Sequence, residues 1–350
     1  MPELRQMLAL WRAAKARGED ICVATVVGVS GSAYRKPGAR MLITSGGSRS
    51  GTISGGCLES EVGKRAWWLT SHGAALESYN SFFDEDTQTM QGLGCGGTVT
   101  LLLERGPAAD AAMLALACAV ELRNPVVLVY SLHPSPGLLH CESATHDVFF
   151  STEYFRGVET AFAERRSFTV EEPGRNLFIE YLAPPPAVWI FGAGDDAMPL
   201  AELANSLDWH VTVADGRSHL ARAERFPSAR VLTLDLTQLD LAIKPEDAAV
   251  VMTHSYEQDR RLLPALLSVA PRYLGVLGPR KRTAQLIREA AAKLGLTEAD
   301  CMTRLHSPAG LNLGGASPAA VALSIVAEMQ SHFAGRAAAF SRNSAEAICV

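Results

Sequence analysis

Apolar and polar positions in the first half of the chain recur with two different periods. Residues 1–20 place apolar side chains three and four positions apart, which predicts an amphipathic helix. Residues 21–29 are rich in β-branched side chains and predict a strand, and 41–44 predict a second one. Further patterns predict helices over 58–72, 108–122 and 158–166 and strands over 76–83, 98–103, 125–130, 147–151, 168–171 and 177–182. Together they predict a mixed α/β domain.

The pattern changes after Pro184, Pro185 and Pro186, which form a stiff linker. Beyond the linker, short apolar runs alternate with longer amphipathic segments. The predicted strands are 187–191, 209–214, 230–234, 248–253 and 273–277, and the predicted helices include 258–269, 280–294 and 318–333. Ser317 and Pro318 have the pattern of an N-cap followed by proline at the first helical position. Strands and helices that alternate in this way favour a doubly wound parallel sheet.

The predicted fold class is therefore α/β, with the chain divided into three parts. We predict an N-terminal mixed α/β domain over 1–183, a Rossmann-like domain with a doubly wound parallel sheet over 184–335, and a flexible tail over 336–350. A chain of 350 residues is long enough for two separate hydrophobic cores.

The composition is typical of a soluble globular protein, with 48% hydrophobic and 20% charged residues. A net charge of −5 argues against a nucleic-acid surface, which needs a basic excess. The longest uncharged apolar run, 111–120, is too short to cross a bilayer, and 1–20 lacks the apolar core of a signal peptide. We expect a cytoplasmic protein with no membrane partner, whose seven cysteines stay reduced.

Two cysteines stand in glycine-rich turns. Cys57 follows Gly55 and Gly56 and precedes the predicted helix 58–72, so its thiol is expected at a helix N-terminus. Unpaired N–H groups and the helix dipole would stabilise a thiolate there, and the glycines leave room for a bulky ligand. Cys95 is flanked by glycines in a second turn, and two such cysteines offer soft sulfur donors to a metal. The alternative is a small buried residue in each turn.

A polar loop separates the first two predicted strands. It carries Ser30, Ser32, Arg35, Lys36 and Arg40. Hydroxyl donors and positive charge beside open backbone suit an anion, most simply a phosphate. The alternative is an ordinary solvated hairpin.

The second domain begins with a glycine turn between a strand and a helix. Gly192 and Gly194 lie in this turn, and Asp215 ends the next predicted strand about 20 residues later, as in a dinucleotide-binding βαβ unit. However, Asp195 and Asp196 stand where a pyrophosphate would meet the helix N-terminus, and carboxylates repel it. Ordinary helix capping is an alternative role for them.

Two further hypotheses concern this turn and a later loop. The carboxylates of Asp195 and Asp215 could accept hydrogen bonds from the N–H edge of an aminopyrimidine ring, as in a pterin. His254 directly follows a predicted strand, where an acid or base is often placed. The alternative for His254 is a hydrogen bond to a neighbouring loop.

Seven segments in one chain order resemble the XdhC/CoxI family, accessory proteins for molybdenum hydroxylases such as xanthine dehydrogenase. They are SGSAYRKPGARMLI, GTISGGCLESEV, GLGCGG, FGAGDDAMPLA, VMTHSYEQD, LGVLGPRKRT and SPAGLNLGGASPAAVALSIVAEM. The resemblance covers most of the chain. Two pairs of residues depart from the family pattern: Asp195-Asp196 stand in the glycine turn where many members have a His, and Ala319-Ala320 stand where many have a Glu pair.

The resemblance implies a cofactor-binding chaperone without turnover chemistry. Such a protein binds the molybdenum cofactor, a molybdopterin whose mononucleotide or dinucleotide form is left open. It protects the cofactor while a cysteine desulfurase supplies sulfur, and delivers it to an apo molybdenum hydroxylase. By the same resemblance, Cys57 and Cys95 become candidates for contacting molybdenum or sulfur, and the loop 30–40 for binding the cofactor's phosphate. A homodimer is left open.

Two alternatives come from other functional classes. The first is an NAD(P)-dependent oxidoreductase that uses the second domain, with His254 as acid or base. The second is a nucleotidyl-transfer enzyme acting on the cofactor, for which the sequence contains no paired-carboxylate metal motif with the spacing of nucleotide transfer.

Overall fold

The computed structural model describes residues 3–56, 58–80, 97–143, 155–234 and 242–336. They form two compact units, the first ending at Pro184 and the second beginning at Pro185. Several predictions lie outside the described residues: Cys57, Cys95, the strand 147–151, positions 81–83 of another strand, and the tail from 337 onwards.

The first unit is built on antiparallel sheets. Its described elements are α1 (Glu3–Ala16), β1 (Ile21–Ser30), β2 (Arg40–Thr44), β3 (Arg49–Gly51), α2 (Glu59–Leu69), β4 (Ala75–Asn80), β5 (Thr98–Arg105), α3 (Pro107–Glu121), β6 (Val126–His133), β7 (Gly137–Ser143), α4 (Phe155–Glu164), β8 (Phe168–Glu172) and β9 (Arg175–Leu182). The strand orders are β3-β2-β1-β5-β4 and β7-β6-β9-β8. The mixed α/β prediction is confirmed.

Strand β1 is apolar at most of its positions because both faces of its sheet are covered. Cys22 and Ala24 pack in a cluster with residues of α2, whereas Ile21 and Val23 pack in a cluster with residues of α1 and α3. Alternate side chains of a strand point to opposite faces, so a strand covered on both sides has apolar residues on both faces.

The second sheet of this unit is covered in the same way. Leu128 and Tyr130 pack with residues of α3, and Val127 and Val129 pack with residues of α4. The sequence patterns did not predict β7, which is a half-buried strand without β-branched residues. Helix α3 therefore contributes to the cores of both sheets.

The second unit is a doubly wound parallel sheet. Its described elements are β10 (Ala187–Phe191), α5 (Ala197–Ser206), β11 (His210–Asp215), β12 (Arg230–Thr233), β13 (Ala248–Val251), α6 (Tyr256–Val269), β14 (Tyr273–Val276), α7 (Arg280–Leu294), α8 (Glu298–Met302) and α9 (Pro318–Phe333). The strand order is β12-β11-β10-β13-β14, and every pairing is parallel. The Rossmann-like prediction is confirmed.

This strand order creates a switch point between β10 and β13. The chain runs outward from β10 through β11 and β12, and then returns to the other side of β10. Ligands of open parallel sheets bind beyond the carboxyl ends of the strands at such a point. The loops after β10 and β13 therefore meet where a ligand is expected.

Helices cover both faces of the parallel sheet. Residues of α5 and α9, such as Leu200 and Ile325, form one core cluster with Val188 of β10. Residues of α6 and α7, such as Leu262 and Leu286, form the other. Within the described ranges, no helix is long and apolar enough to span a bilayer.

The start of α9 follows the predicted capping pattern. The hydroxyl oxygen of Ser317 accepts the N–H of Ala320 at 3.2 Å, and Pro318 is the first helical residue. We expect Ser317→Ala to lower the free energy of unfolding by about 1 kcal/mol, because one helical N–H loses its acceptor. Urea denaturation measures the change. Ser206→Ala, at an exposed serine that caps no helix N-terminus, should have a smaller effect; equal effects would contradict the capping role.

Candidate functional site

The backbone on either side of Cys57 is described, although Cys57 and Cys95 themselves are not. Gly55 and Gly56 are exposed, and Gly56 has φ of +113°, which favours glycine. A Cβ on Gly56 would have no atom within 4 Å among the described residues. The turn before Cys57 is therefore open.

A buried carboxylate organises this turn. Glu59, the first residue of α2, accepts the N–H groups of Ile53 and Ser54 on Oε1 at 3.0 and 2.8 Å. Its Oε2 accepts the hydroxyl of Ser54 at 2.6 Å. Burial raises the pKa of Glu59, but the hydrogen bonds from Ser54 and Ile53 outweigh burial and hold the pKa below its ordinary value. Glu59 is therefore ionised at neutral pH.

The same network fixes the two neighbours of Cys57. The hydroxyl oxygen of Ser54 accepts the N–H of Gly56 at 3.2 Å and that of Leu58 at 3.1 Å. A thiolate at this helix end was expected to be stabilised by unpaired N–H groups. The N–H of Leu58 is already paired, and Glu59 already places a negative charge there, so a thiolate gains less stabilisation than expected.

The loop 30–40 packs against the end of the second cysteine segment. A Cβ on Gly97 would collide with the carbonyl oxygens of Ser30 and Ser32, so only glycine permits this approach. The side chains of Ser30 and Ser32 belong to exposed residues. The structure therefore brings together two segments that are about 65 positions apart and that the sequence singled out separately.

Arg35 connects the loop to the first cysteine segment. Its Nη2 lies 3.0 Å from Oε1 of Glu3, and the same oxygen accepts the N–H and the hydroxyl of Thr52, each at 2.9 Å. Tyr34 reaches Gly55, where its Cγ would lie 3.8 Å from a Cβ. Thus Tyr34 and Arg35 of the loop lie beside the segment 52–56 that precedes Cys57, and Ser30 and Ser32 belong to the same loop.

Arg40 does not belong to this surface, contrary to the prediction that it contacts a phosphate. Its guanidinium is buried between the sheets and forms a bidentate ion pair with Glu180. It also donates to the hydroxyl of Tyr130 at 3.1 Å and to the carbonyl of Gly38 at 3.0 Å. Every one of these bonds stays inside the first unit, so Arg40 is a structural residue.

In the second unit, Gly192 lets β10 and β13 approach closely. Its φ is +120°, and a Cβ would collide with the carbonyl of Met252. Asp215, at the end of β11, is buried and accepts the N–H of Ala193 at 2.7 Å. Both of its oxygens also accept hydrogen bonds from Arg217. The hypothesis that Asp215 faces an aminopyrimidine edge does not fit this arrangement.

Asp215 is also poorly placed for the ribose of a dinucleotide, because its acceptors are occupied. Burial raises the pKa of Asp215, but hydrogen bonds from Arg217 and Ala193 hold the pKa below its ordinary value. The carboxylate is therefore a fixed counter-charge for Arg217.

Both aspartates of the glycine turn have side-chain partners. Nη2 of Arg225 lies 2.6 Å from Oδ1 of Asp195, and Nη1 of Arg225 donates to the carbonyl of Ala193. Asp196 Oδ2 lies 2.7 Å from Nε2 of His254, and its Oδ1 lies 2.6 Å from the place of a Cβ on Gly194. Asp196 thus covers the glycine where a pyrophosphate would lie.

The Asp196–His254 pair joins the loops after β10 and β13 at the switch point. His254 is exposed and has φ of +60°, an uncommon conformation for a residue with a side chain. The structure therefore places His254 in the loop after β13 beside a carboxylate, and its role as an acid or base stays a prediction. Glu59, Arg217 and Arg225 were not predicted from the sequence; only the Asp215-x-Arg217 spacing offered a local signal.

Burial makes two of the described cysteines difficult to ionise. Cys22, Cys118, Cys141 and Cys301 are free. Burial raises the pKa of Cys22 to about 12 and that of Cys141 to about 11. Among the described residues, no group of three or more His, Cys, Asp or Glu side chains could hold a metal ion.

Comparisons with known proteins agree with this two-unit arrangement. The family model described as XdhC and CoxI family matches residues 14–80, and the model described as XdhC Rossmann domain matches 188–329. A protein of Bacillus subtilis (strain 168), described as a probable xanthine dehydrogenase subunit, is 31% identical over 329 residues, covering 89% of this chain and 92% of that protein. The chain belongs to the XdhC and CoxI family. The predicted resemblance is confirmed.

Two further matches extend over most of the chain. The molybdenum cofactor insertion chaperone PaoD of Escherichia coli (strain K12) is 25% identical over 321 residues, covering 90% of this chain and 84% of PaoD. A crystal structure described as a xanthine dehydrogenase from Bacillus halodurans superposes with a TM-score of 0.75 at 27% identity, covering 99% of this chain and 98% of that one. Both units are therefore shared with these proteins.

Proposed function

We propose that this protein takes part in the maturation of molybdenum hydroxylases, as a chaperone that binds the molybdenum cofactor and inserts it into an apo enzyme of the xanthine dehydrogenase type. One observation carries the proposal: the loop 30–35, through Tyr34 and Arg35, lies beside the exposed glycine turn that precedes Cys57. The name of PaoD, a relative along most of the chain, supports the same role.

The residues of this surface fit such a cargo. The glycines leave space for a bulky group, and Ser30 and Ser32 supply hydroxyl donors for a phosphate. Cys57 and Cys95 are the proposed soft donors to molybdenum or its sulfur ligand, because thiolates suit soft metal centres. Arg35 adds positive charge, although Glu3 neutralises part of it.

The finer steps are also part of the proposal. The chaperone protects the cofactor while a cysteine desulfurase supplies the sulfur ligand, and then releases it to the hydroxylase. The form of the cofactor, mononucleotide or dinucleotide, is left to experiment. A homodimer stays a prediction.

An NAD(P)-dependent reaction in the second unit has less support. The carboxylate of Asp215 is bonded to Arg217 and Ala193, and Asp196 covers Gly194. Both positions that normally hold the ribose and the pyrophosphate are therefore occupied by the protein itself. Gly192, Gly194, Asp195 and His254 remain proposed contacts for a ligand at the switch point, with Asp215 acting through Arg217.

The test compares protein purified from a cofactor-producing strain with protein from a strain unable to make the cofactor. We expect molybdenum and pterin in near-equal amounts in the first sample only. Cys57→Ala should reduce both, whereas Cys118→Ala, at a half-buried cysteine of the same unit, should not. Absence of pterin from both samples, together with failed reconstitution by isolated cofactor, would refute the proposal; saturable NADH binding would then favour the oxidoreductase.

A further inference from the structure

Tyr34 has an exposed side chain on a tightly anchored backbone. Its side chain and backbone together are 56% exposed, whereas its neighbour Ala33 is 6% exposed and packs in the core. On the other side, Arg35 is paired with Glu3. The preceding turn is held by the close approach of Gly97 to the carbonyl of Ser32. The ring of Tyr34 is therefore exposed to solvent, on a loop whose backbone is anchored by Ala33, Arg35 and the contact of Ser32 with Gly97.

The ring also borders the open glycine turn. Its Cγ would lie 3.8 Å from a Cβ on Gly55, which is ordinary van der Waals contact. Gly56, the next residue, is exposed and has no described atom within 4 Å of its Cβ position. The phenol ring and the exposed backbone of Gly55 and Gly56 thus lie side by side on the surface of the first unit.

Exposure of one apolar side chain is common on protein surfaces and would carry no inference alone. The anchoring and the position of Tyr34 distinguish it. An aromatic ring on a fixed backbone loses little conformational entropy when a ligand binds. Planar heterocycles stack on such rings, and the interaction tolerates different ring types because each has a π-face.

We propose that Tyr34 is a stacking residue for a planar nitrogen heterocycle of the bound cofactor, beside the turn that carries Cys57. This inference rests on the proposed cofactor-binding function and names a contact within it. The heterocycle is either the pterin or, in a dinucleotide form, the nucleobase. Both rings present a flat π-face, so an experiment must distinguish the pterin from the nucleobase.

The test uses the full-length protein titrated anaerobically with two isolated cofactor forms, one with the nucleotide and one without. Tyr34→Leu should weaken binding about tenfold or more, as expected for the loss of a stacked ring. Tyr34→Phe keeps the ring and should bind within about twofold of the unaltered protein. Trp68→Leu removes an aromatic residue that is 70% exposed elsewhere on the same unit, and should change nothing.

The losses of affinity for the two cofactor forms identify the heterocycle that stacks on Tyr34. Equal weakening of both cofactor forms by Tyr34→Leu assigns the pterin, whereas weakening of the dinucleotide form alone assigns the base. Unaltered affinity of Tyr34→Leu for both forms, while the parent protein binds them, would overturn the stacking role and leave the chaperone function standing. Failure of the parent protein to bind either form would overturn both. Unchanged circular dichroism confirms that each variant is folded.

Discussion

Glu180→Ala is expected to destabilise the first unit by about 3–5 kcal/mol, because it leaves the guanidinium of Arg40 buried without its counter-charge. Arg40 and Glu180 have side chains only 3% and 2% exposed. Burial lowers the pKa of Arg40, but the charge of Glu180 raises it above its ordinary value, so Arg40 stays charged inside the folded protein. Amide hydrogen exchange of β1 and β9 in the full-length protein measures the loss.

Two comparisons isolate the cause. Glu121→Ala removes a carboxylate from the bidentate but solvent-exposed pair with Arg12, and should have little effect since water screens that pair. The double variant Arg40→Met with Glu180→Leu removes both buried charges and should recover most of the stability. If Glu180→Ala proves as mild as Glu121→Ala, the buried pair does not stabilise the unit.

Glu59→Ala is expected to have the second large effect, on cofactor binding. It deprives the N–H groups of Ile53 and Ser54 of their acceptor and frees the Ser54 hydroxyl that holds both neighbours of Cys57. Buried donors left unpaired cost about 1–3 kcal/mol each. A loss of about 2–4 kcal/mol in the stability of the ordered turn corresponds to a cofactor affinity that is weaker by about thirtyfold to several hundredfold.

A matched control lies in the same helix turn. Glu61 is half-exposed and pairs with Arg65, so Glu61→Ala should leave cofactor affinity nearly unchanged. Faster hydrogen exchange at Ile53, Ser54 and Leu58 in Glu59→Ala alone would show the loosened turn without relying on the cofactor. Equal exchange in both variants would contradict the role of Glu59.

The pH dependence of this turn follows from the lowered pKa of Glu59. The unfolded carboxyl binds protons more readily, so the ionised form stabilises the folded turn fully above about pH 4.5, the ordinary value. The stabilisation disappears as the pH falls through the lower folded value. Protection of the Ile53 and Ser54 amides should therefore be constant near neutral pH and fall only in acid.

Local patterns predicted most of the fold because they reflect local physics. The alternation of apolar runs and amphipathic segments located the strands and helices of the second unit, and Ser317-Pro318 marked the start of α9. Strand β7 was missed, since a half-exposed strand at a sheet edge needs neither alternation nor β-branched residues.

The sequence by itself therefore determined the α/β class, the parallel sheet of the second unit, the family and the glycine-rich segments. The tertiary structure alone decided which polar side chains remain available. The sequence placed Arg35 and Arg40 in the same polar loop, but Arg40 forms an ion pair with Glu180, 140 residues away, and is buried. Asp215 likewise meets Ala193 through the parallel pairing of β10 and β11. A side chain's partner depends on chain segments that only folding brings together, and the local pattern of apolar and polar residues does not predict that partner.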